Sequence, residues 1–203
     1  GAVDAPDGIS LFLVPVADLD LRSTSLMGGG TAADILLDGV TVTDDMRLGQ
    51  SGAAVPALEQ VIAAAITASS AQTLGAMETA TALTTEYLKT RKQFGRPIGT
   101  FQALAHRLSD MLVELEQARS AVIGVAGHLE ADARLRDRHA SMAKNLMGRI
   151  GRMIAEESIQ MHGGIAMTQE YELAHIAKRI VMADHMFGDV DYHLERFIAL
   201  SAA

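Results

Sequence analysis

Three cations, Arg91, Lys92 and Arg96, fall within six residues of a 203-residue chain whose formal charge is −8. They belong to the stretch Arg91-Lys92-Gln93-Phe94-Gly95-Arg96-Pro97-Ile98-Gly99-Thr100-Phe101-Gln102. Gly95, Pro97 and Gly99 break helix, through backbone freedom and a missing N–H, so the stretch reads as a corner between two longer segments. An arginine held where a helix ends suits a phosphate or a carboxylate, because its guanidinium is a fixed fork of donors. The bland alternative is a helix-to-helix turn with a solvated basic edge.

Other residues capable of chemistry are scattered. His106, His128, His139, His175, His185 and His193 show no spacing that would hold a metal, and no metal site is expected. His162 abuts Gly163, where packing or a backbone hydrogen bond is the usual role of a histidine. Gly28-Gly29-Gly30 precedes a strand-like piece rather than a helix, which favours a mobile hairpin loop over a phosphate loop. The Arg134-Leu135-Arg136-Asp137-Arg138 cluster sits among acids at a helix start and reads as a solvated connection.

The elements that position these residues follow from composition and periodicity. An apolar fraction of 49% is ample for a core, and 4% aromatics with no Trp favour helix packing over a sheet sandwich. The mean hydropathy of +0.18 agrees, and a pI near 5.3 disfavours a nucleic-acid partner. Without cysteine there is neither a disulfide framework nor a thiolate metal site. No secretory signal and no apolar run of membrane length is visible, so a cytoplasmic location is expected.

The chain changes character once. Up to Gly52 it is strand-like: Ile9 to Val16, then Leu21 to Leu26, then Ala32 to Val42 with Asp38-Gly39 as a turn between two pieces. These are too few to close a sheet around its own core. From Pro56 onward the pattern is helical. The Ala57–Lys89 segment has a small-residue centre, the composition of a helix buried on several sides. The next, from about Thr100 to Ala131, carries a stripe of Leu104, Leu108, Met111, Leu112, Leu115, Ala118, Val122 and Val125 at spacings of three and four. A third, Asp137 to Met161, repeats it with Met142, Leu146, Ile150, Met153 and Ile154, and Gly163-Gly164 stops it. A fourth runs from Tyr171 to Met186, and a last short one uses Leu194, Phe197, Ile198 and Leu200. The expected class is mainly α: a long antiparallel four-helix-type bundle over 53–203, preceded over 1–52 by a few strands of an incomplete β domain.

Two motifs in that frame carry a resemblance. Arg91-x-x-Phe94-Gly95-x-Pro97-Ile98-x-x-Phe101-Gln102 resembles the helix-corner signature of acyl-CoA dehydrogenases. Gln160-Met161-His162-Gly163-Gly164-Ile165-Ala166-Met167-Thr168-Gln169-Glu170-Tyr171 resembles their second signature. Ala32 to Val42 is similar to the last strands of the family's middle β domain. The resemblance covers essentially the whole chain and maps onto the family's C-terminal half, so 1–52 corresponds to the tail of the middle β domain and 53–203 to the FAD-binding, oligomerising helical domain.

The resemblance implies flavin chemistry. Family members abstract the α-proton of an acyl-CoA thioester while the β-hydrogen leaves as hydride to FAD. Arg91 would contact the FAD pyrophosphate across a subunit interface, and Phe94 would pack against the adenosine. Gln160 would offer the cofactor both a donor and an acceptor, Gly163 and Gly164 would let backbone approach it, and Gln102 is a further candidate contact. Implied partners are an acyl-CoA substrate, an acceptor such as an electron-transfer flavoprotein, and further subunits in a homo- or heterotetramer.

The catalytic base departs from the family. Counting on from Gly163-Gly164, the usual glutamate position holds Phe187; the minority position on the first long helix holds Ala65. Neither takes a proton. The base is therefore displaced, with Asp189 the nearest ionisable candidate, or supplied by another polypeptide, or replaced by different flavin chemistry on the same frame. Glu59 lies more than a turn too early, and Glu170 belongs to the structural part of the second motif. A base-lacking partner subunit and a non-catalytic helical assembly module are the competing classes.

Overall fold

A computed structural model describes residues 8–202 and divides the chain into two compact units, 1–62 and 63–203. In the first unit, β1 (Leu11–Phe12) pairs antiparallel with β4 (Arg47–Leu48). A hairpin joins β2 (Asp20–Ser25) to β3 (Thr31–Leu36), in a register that sets Asp20 opposite Leu36 and Ser25 opposite Thr31. The glycine triplet forms the loop of this hairpin, with Gly29 and Gly30 at positive φ. Leu13, Val16, Ile35 and Leu37 are exposed, and no apolar core forms among these strands.

Two strand expectations fail in this unit. The apolar run from Ile9 to Val16 yields a two-residue strand and an isolated bridge at Ile9, because Pro15 diverts the chain into a 3-10 turn at Val16–Asp18. Asp38-Gly39 is a bend but not a hairpin turn, since no strand follows it before β4.

Five helices follow: α1 (Val55–Thr90), α2 (Gln102–Gly127), α3 (Ala133–His162), α4 (Glu172–Ala183) and α5 (Val190–Ser201). Helix α1 spans 36 residues and carries Pro56 in its first turn, where a missing N–H is harmless. It is buried along one stripe (Ala63, Ile66, Ser70, Leu74, Met77, Ala80, Thr84, Leu88). The opposite face is exposed within this chain. Helix α2 returns antiparallel to α1: Arg119 pairs with Glu78 at 2.6 Å, and Ala121 and Val125 lie with Ala63 and Ile66. Helix α3 starts on an Asp132 cap, whose carboxylate accepts from the Leu135 N–H at 3.1 Å, and ends at Gly163 with φ 69°.

The core of this unit is drawn from four helices. Met77 and Leu88 of α1, Met111 and Leu115 of α2, Ile150 and Ile154 of α3, and Leu173 and Ile180 of α4 form one cluster. The fourth position of the bundle is taken by α4 and α5 laid end to end along α3. A Cβ on Gly148 would lie 2.2 Å from the Asp184 carboxylate and 2.5 Å from Val190, so the close approach of the chain to α3 there needs a glycine. The fold is thus the expected long helical bundle preceded by a few strands.

Side-chain assignments differ at particular positions. Leu112 of the α2 stripe is exposed. On α5 the inward stripe is Val190, His193, Phe197 and Leu200, whereas Leu194 and Ile198 face outward. The arginine cluster at the start of α3 is a clamp rather than a solvated connection. Arg136 and Asp137 are buried, Arg136 Nε donates to Asp137 Oδ1 at 2.8 Å, and Arg196 of α5 donates to the other oxygen at 2.9 Å. Arg134 donates to the Leu200 carbonyl at 3.0 Å, and Arg138 sits 5.6 Å from the Phe197 ring. Burial follows from α5 folding back over α3, a long-range event with no local signal.

Candidate functional site

The corner after α1 is a miniature hairpin. Strands β5 (Lys92–Gln93) and β6 (Arg96–Pro97) pair with Gln93 opposite Arg96, leaving Phe94 and Gly95 as a two-residue loop with both φ values positive. Phe94 has φ 52° and is 89% exposed. A bulky aromatic held in the left-handed region and presented to solvent is a strained arrangement of the kind found at binding sites. The corner is fixed from behind: the Ile98 N–H donates to the Arg91 carbonyl at 2.8 Å, and Arg96 stacks 4.2 Å from the Phe101 ring.

Both candidate motifs meet in one cleft of about 530 Å³. Arg91, Gln93 and Phe94 line one side; Gln160, His162, Gly163 and Gly164 line the other. Tyr87 and Arg107 complete it. The two arginines differ in what they can still bind. Arg107 is clamped by Glu157 through two bonds, Nε to Oε2 at 2.5 Å and Nη2 to Oε1 at 3.0 Å, and the Glu157 hydrogen bond raises its pKa further above the usual arginine range. The Arg91 side chain makes no ion pair or hydrogen bond among the described residues, leaving its donors available to an anion. An ideal Cβ on Gly164 would meet nothing within 4 Å, so the bare backbone there faces open space. Gln102, the first residue of α2, is exposed and lies outside the cleft lining.

His162 is 5% exposed and acts structurally. Its Nδ1–H donates to the Ser158 carbonyl at 2.8 Å, and its ring stacks on Tyr87 with centroids 4.4 Å apart. The ring of Tyr171, at the far end of the same motif, lies 5.4 Å away. Burial pushes the His162 pKa down and the Tyr171 pKa up, so both stay neutral near pH 7. Tyr87 and Arg107 were not evident from sequence; Tyr87 had a signal, one turn ahead of Arg91 in the last turn of α1, while the Arg107–Glu157 pair had none.

The base positions lie elsewhere. Phe187 sits in an elbow between α4 and α5, where it and Gly188 take φ values of 60° and 98°. Polar side chains buried on α3 hold that elbow. Lys144 donates to the Asp184 carbonyl at 2.9 Å and Asn145 to the Val190 carbonyl at 3.0 Å. His193 donates from Nε2 to the Phe187 carbonyl at 2.8 Å and accepts from the Ser141 hydroxyl at 3.3 Å. Asp189 caps α5, its carboxylate accepting from the Tyr192 N–H at 2.9 Å. Ala65 is half-buried on α1, and Glu170 is exposed ahead of α4. Neither Phe187 nor Ala65, the two positions to which the resemblance assigns a base, is a carboxylate, and no cluster that could hold a metal occurs among the described residues.

The family model described as acyl-CoA dehydrogenase, C-terminal domain, matches residues 57–199. The chain belongs to the acyl-CoA dehydrogenase family. One relative, acyl-CoA dehydrogenase IpdE2 of Mycolicibacterium smegmatis, is 31% identical over 185 residues, 91% of this chain and 51% of the relative. Among solved structures, the ChsE4-ChsE5 complex from Mycobacterium tuberculosis superposes with a TM-score of 0.85 at 25% identity, over 95% of this chain and 52% of that one. Butyryl-CoA dehydrogenase from Megasphaera elsdenii shares the fold, with a TM-score of 0.91 at 22% identity over 100% of this chain and 54% of that one. The chain thus spans about half the length of these family members. Among the described residues no helix is long and apolar enough to cross a membrane.

Proposed function

We propose that this chain is the cofactor-side half of a flavin-dependent acyl-CoA dehydrogenase-type oxidoreductase, with 1–52 as the end of its middle β domain and 53–203 as its helical domain. The observation that carries the reading is the single cleft in which an uncommitted Arg91, an exposed Phe94, Gln160 and the open backbone at Gly163-Gly164 converge. That set fits FAD: a fixed guanidinium for the pyrophosphate, an aromatic face for the adenine, an amide for polar edges, and a ledge without side chains for close approach. FAD, when bound, supplies the acceptor for the hydride that leaves the β-carbon of an acyl-CoA thioester. The protein's part is to hold: Tyr87 and His162 stack on each other in the cleft wall, and Glu157 holds Arg107 in place there. The proposal includes a cytoplasmic tetramer and an electron-transfer flavoprotein as acceptor.

A second reading concerns the base. Phe187 in the elbow cannot take a proton, and Asp189 is engaged as the α5 cap, which favours a subunit whose partner polypeptide supplies the base. One experiment addresses both. The natively purified full-length protein is titrated anaerobically with a panel of acyl-CoA thioesters while its visible spectrum is followed. A flavin band bleached by one thioester is the expected result. Bleaching only when a second polypeptide is present assigns the base to that partner, and a protein without flavin overturns the proposal.

A further inference from the structure

A second, much smaller cavity lies away from the cleft, between α1, α3 and the end of α4. It offers about 10 Å³ to the centre of a water molecule and is lined by Ser69, Ser70, Thr73, Lys144, Gly148 and Asp184, with Met147 and Ala183 closing it. Two of its polar atoms are buried without a hydrogen-bond partner, Ser70 Oγ and Asp184 Oδ1. Ser70 is 2% exposed. Its neighbours show what is unusual about it. The buried threonines of α1 turn their hydroxyls back on the helix: Thr73 to the Ser69 carbonyl at 2.8 Å, Thr81 to Met77 at 2.8 Å and Thr84 to Ala80 at 2.7 Å. Ser70 does not. Across the cavity, Lys144 Nζ spends one proton on the Asp184 carbonyl and stands 3.6 Å from Asp184 Oδ1, too far for a direct bond.

We infer that this cavity binds one ordered water, which donates to Asp184 Oδ1, accepts from Lys144 Nζ and exchanges a hydrogen bond with Ser70 Oγ. Size and charge select the ligand. The space admits a single water. A cation is opposed by the Lys144 ammonium and an anion by the Asp184 carboxylate, so the occupant is a small neutral molecule that both donates and accepts. Bound there, it supplies hydrogen bonds to two buried atoms that otherwise make none. It also ties the middle of α1 to Asp184, three residues before Phe187, which makes Ser70 a positioning residue for the elbow. Nothing here depends on the flavin reading.

The test turns on a sign. If the cavity were dry, Ser70→Ala would delete an unsatisfied buried hydroxyl and leave the melting temperature of the intact protein unchanged or higher. With the water bound, the substitution removes one of its partners, and the melting temperature falls by roughly 2–4 °C. A high-resolution crystal structure of the unsubstituted protein gives the second readout. One solvent peak within hydrogen-bonding distance of Ser70 Oγ and Asp184 Oδ1 is expected. An empty cavity, or a direct Lys144–Asp184 Oδ1 bond filling it, overturns the inference, as does a melting temperature that does not fall.

Discussion

At the residue scale the cleft is decided by which cation is free. Arg91 and Arg107 both line it, but Arg107 is committed to Glu157, and Arg96 sits over the Phe101 ring outside the lining. Removing a charge-assisted bond from a bound anion costs about 1.5–3 kcal/mol, or roughly ten- to hundredfold in affinity. Arg91→Ala in the full assembly is therefore expected to weaken FAD binding by that factor, and Arg96→Ala by about twofold or less. Flavin retained through gel filtration, followed by a binding titration, measures both; equal losses would remove Arg91 from its assigned role. The arginine was legible in the sequence because a basic, glycine-punctuated corner stands out in an acidic chain. That Arg107 is committed was not, since this depends on Glu157 fifty residues away.

At the element scale the informative feature is the end-to-end pairing of α4 and α5 along α3. The helical pattern shows that segments exist after Gly163-Gly164 but not that both pack on the same neighbour. Two short helices can fill one bundle position only if the elbow between them is fixed, and α3 supplies buried polar side chains to do so. Farther along, the Arg136–Asp137–Arg196 cluster ties α5 to the start of α3, with one carboxylate serving two guanidiniums. Asp137→Ala leaves the buried Arg136 guanidinium without its carboxylate and takes one partner from Arg196, and an unfolding free energy lower by about 3–5 kcal/mol is expected from denaturant titration. A change well below 1 kcal/mol would return the cluster to the solvated connection that its charge pattern suggests.

For the molecule as a whole, two buried histidines link stability to pH. Burial lowers the pKa of His162 and of His193, outweighing the hydrogen bond that each donates to a backbone carbonyl, which acts to raise it. In the unfolded chain a histidine titrates near 6.5, so between that value and the lower folded values the unfolded state binds more protons. Their contribution to stability is fully present above about pH 6.5 and is lost as the pH falls through the folded pKa values. A melting temperature that declines on acidification below that pH is expected, with a shallower decline in His193→Gln. An identical profile for that variant would show that His193 does not carry the linkage.

The helical class, the approximate extents of the helices, the stop at Gly163 and the two motifs were legible along the chain, because periodicity, proline, glycine and clustered charge act over a few residues. Only the tertiary structure decided that the motifs share one cleft, that Leu194 and Ile198 face outward while His193 faces in, and that Arg136 and Asp137 are buried. Each of these depends on contacts between residues tens of positions apart. Burial is a property of the neighbour that covers a side chain, and no local pattern names that neighbour.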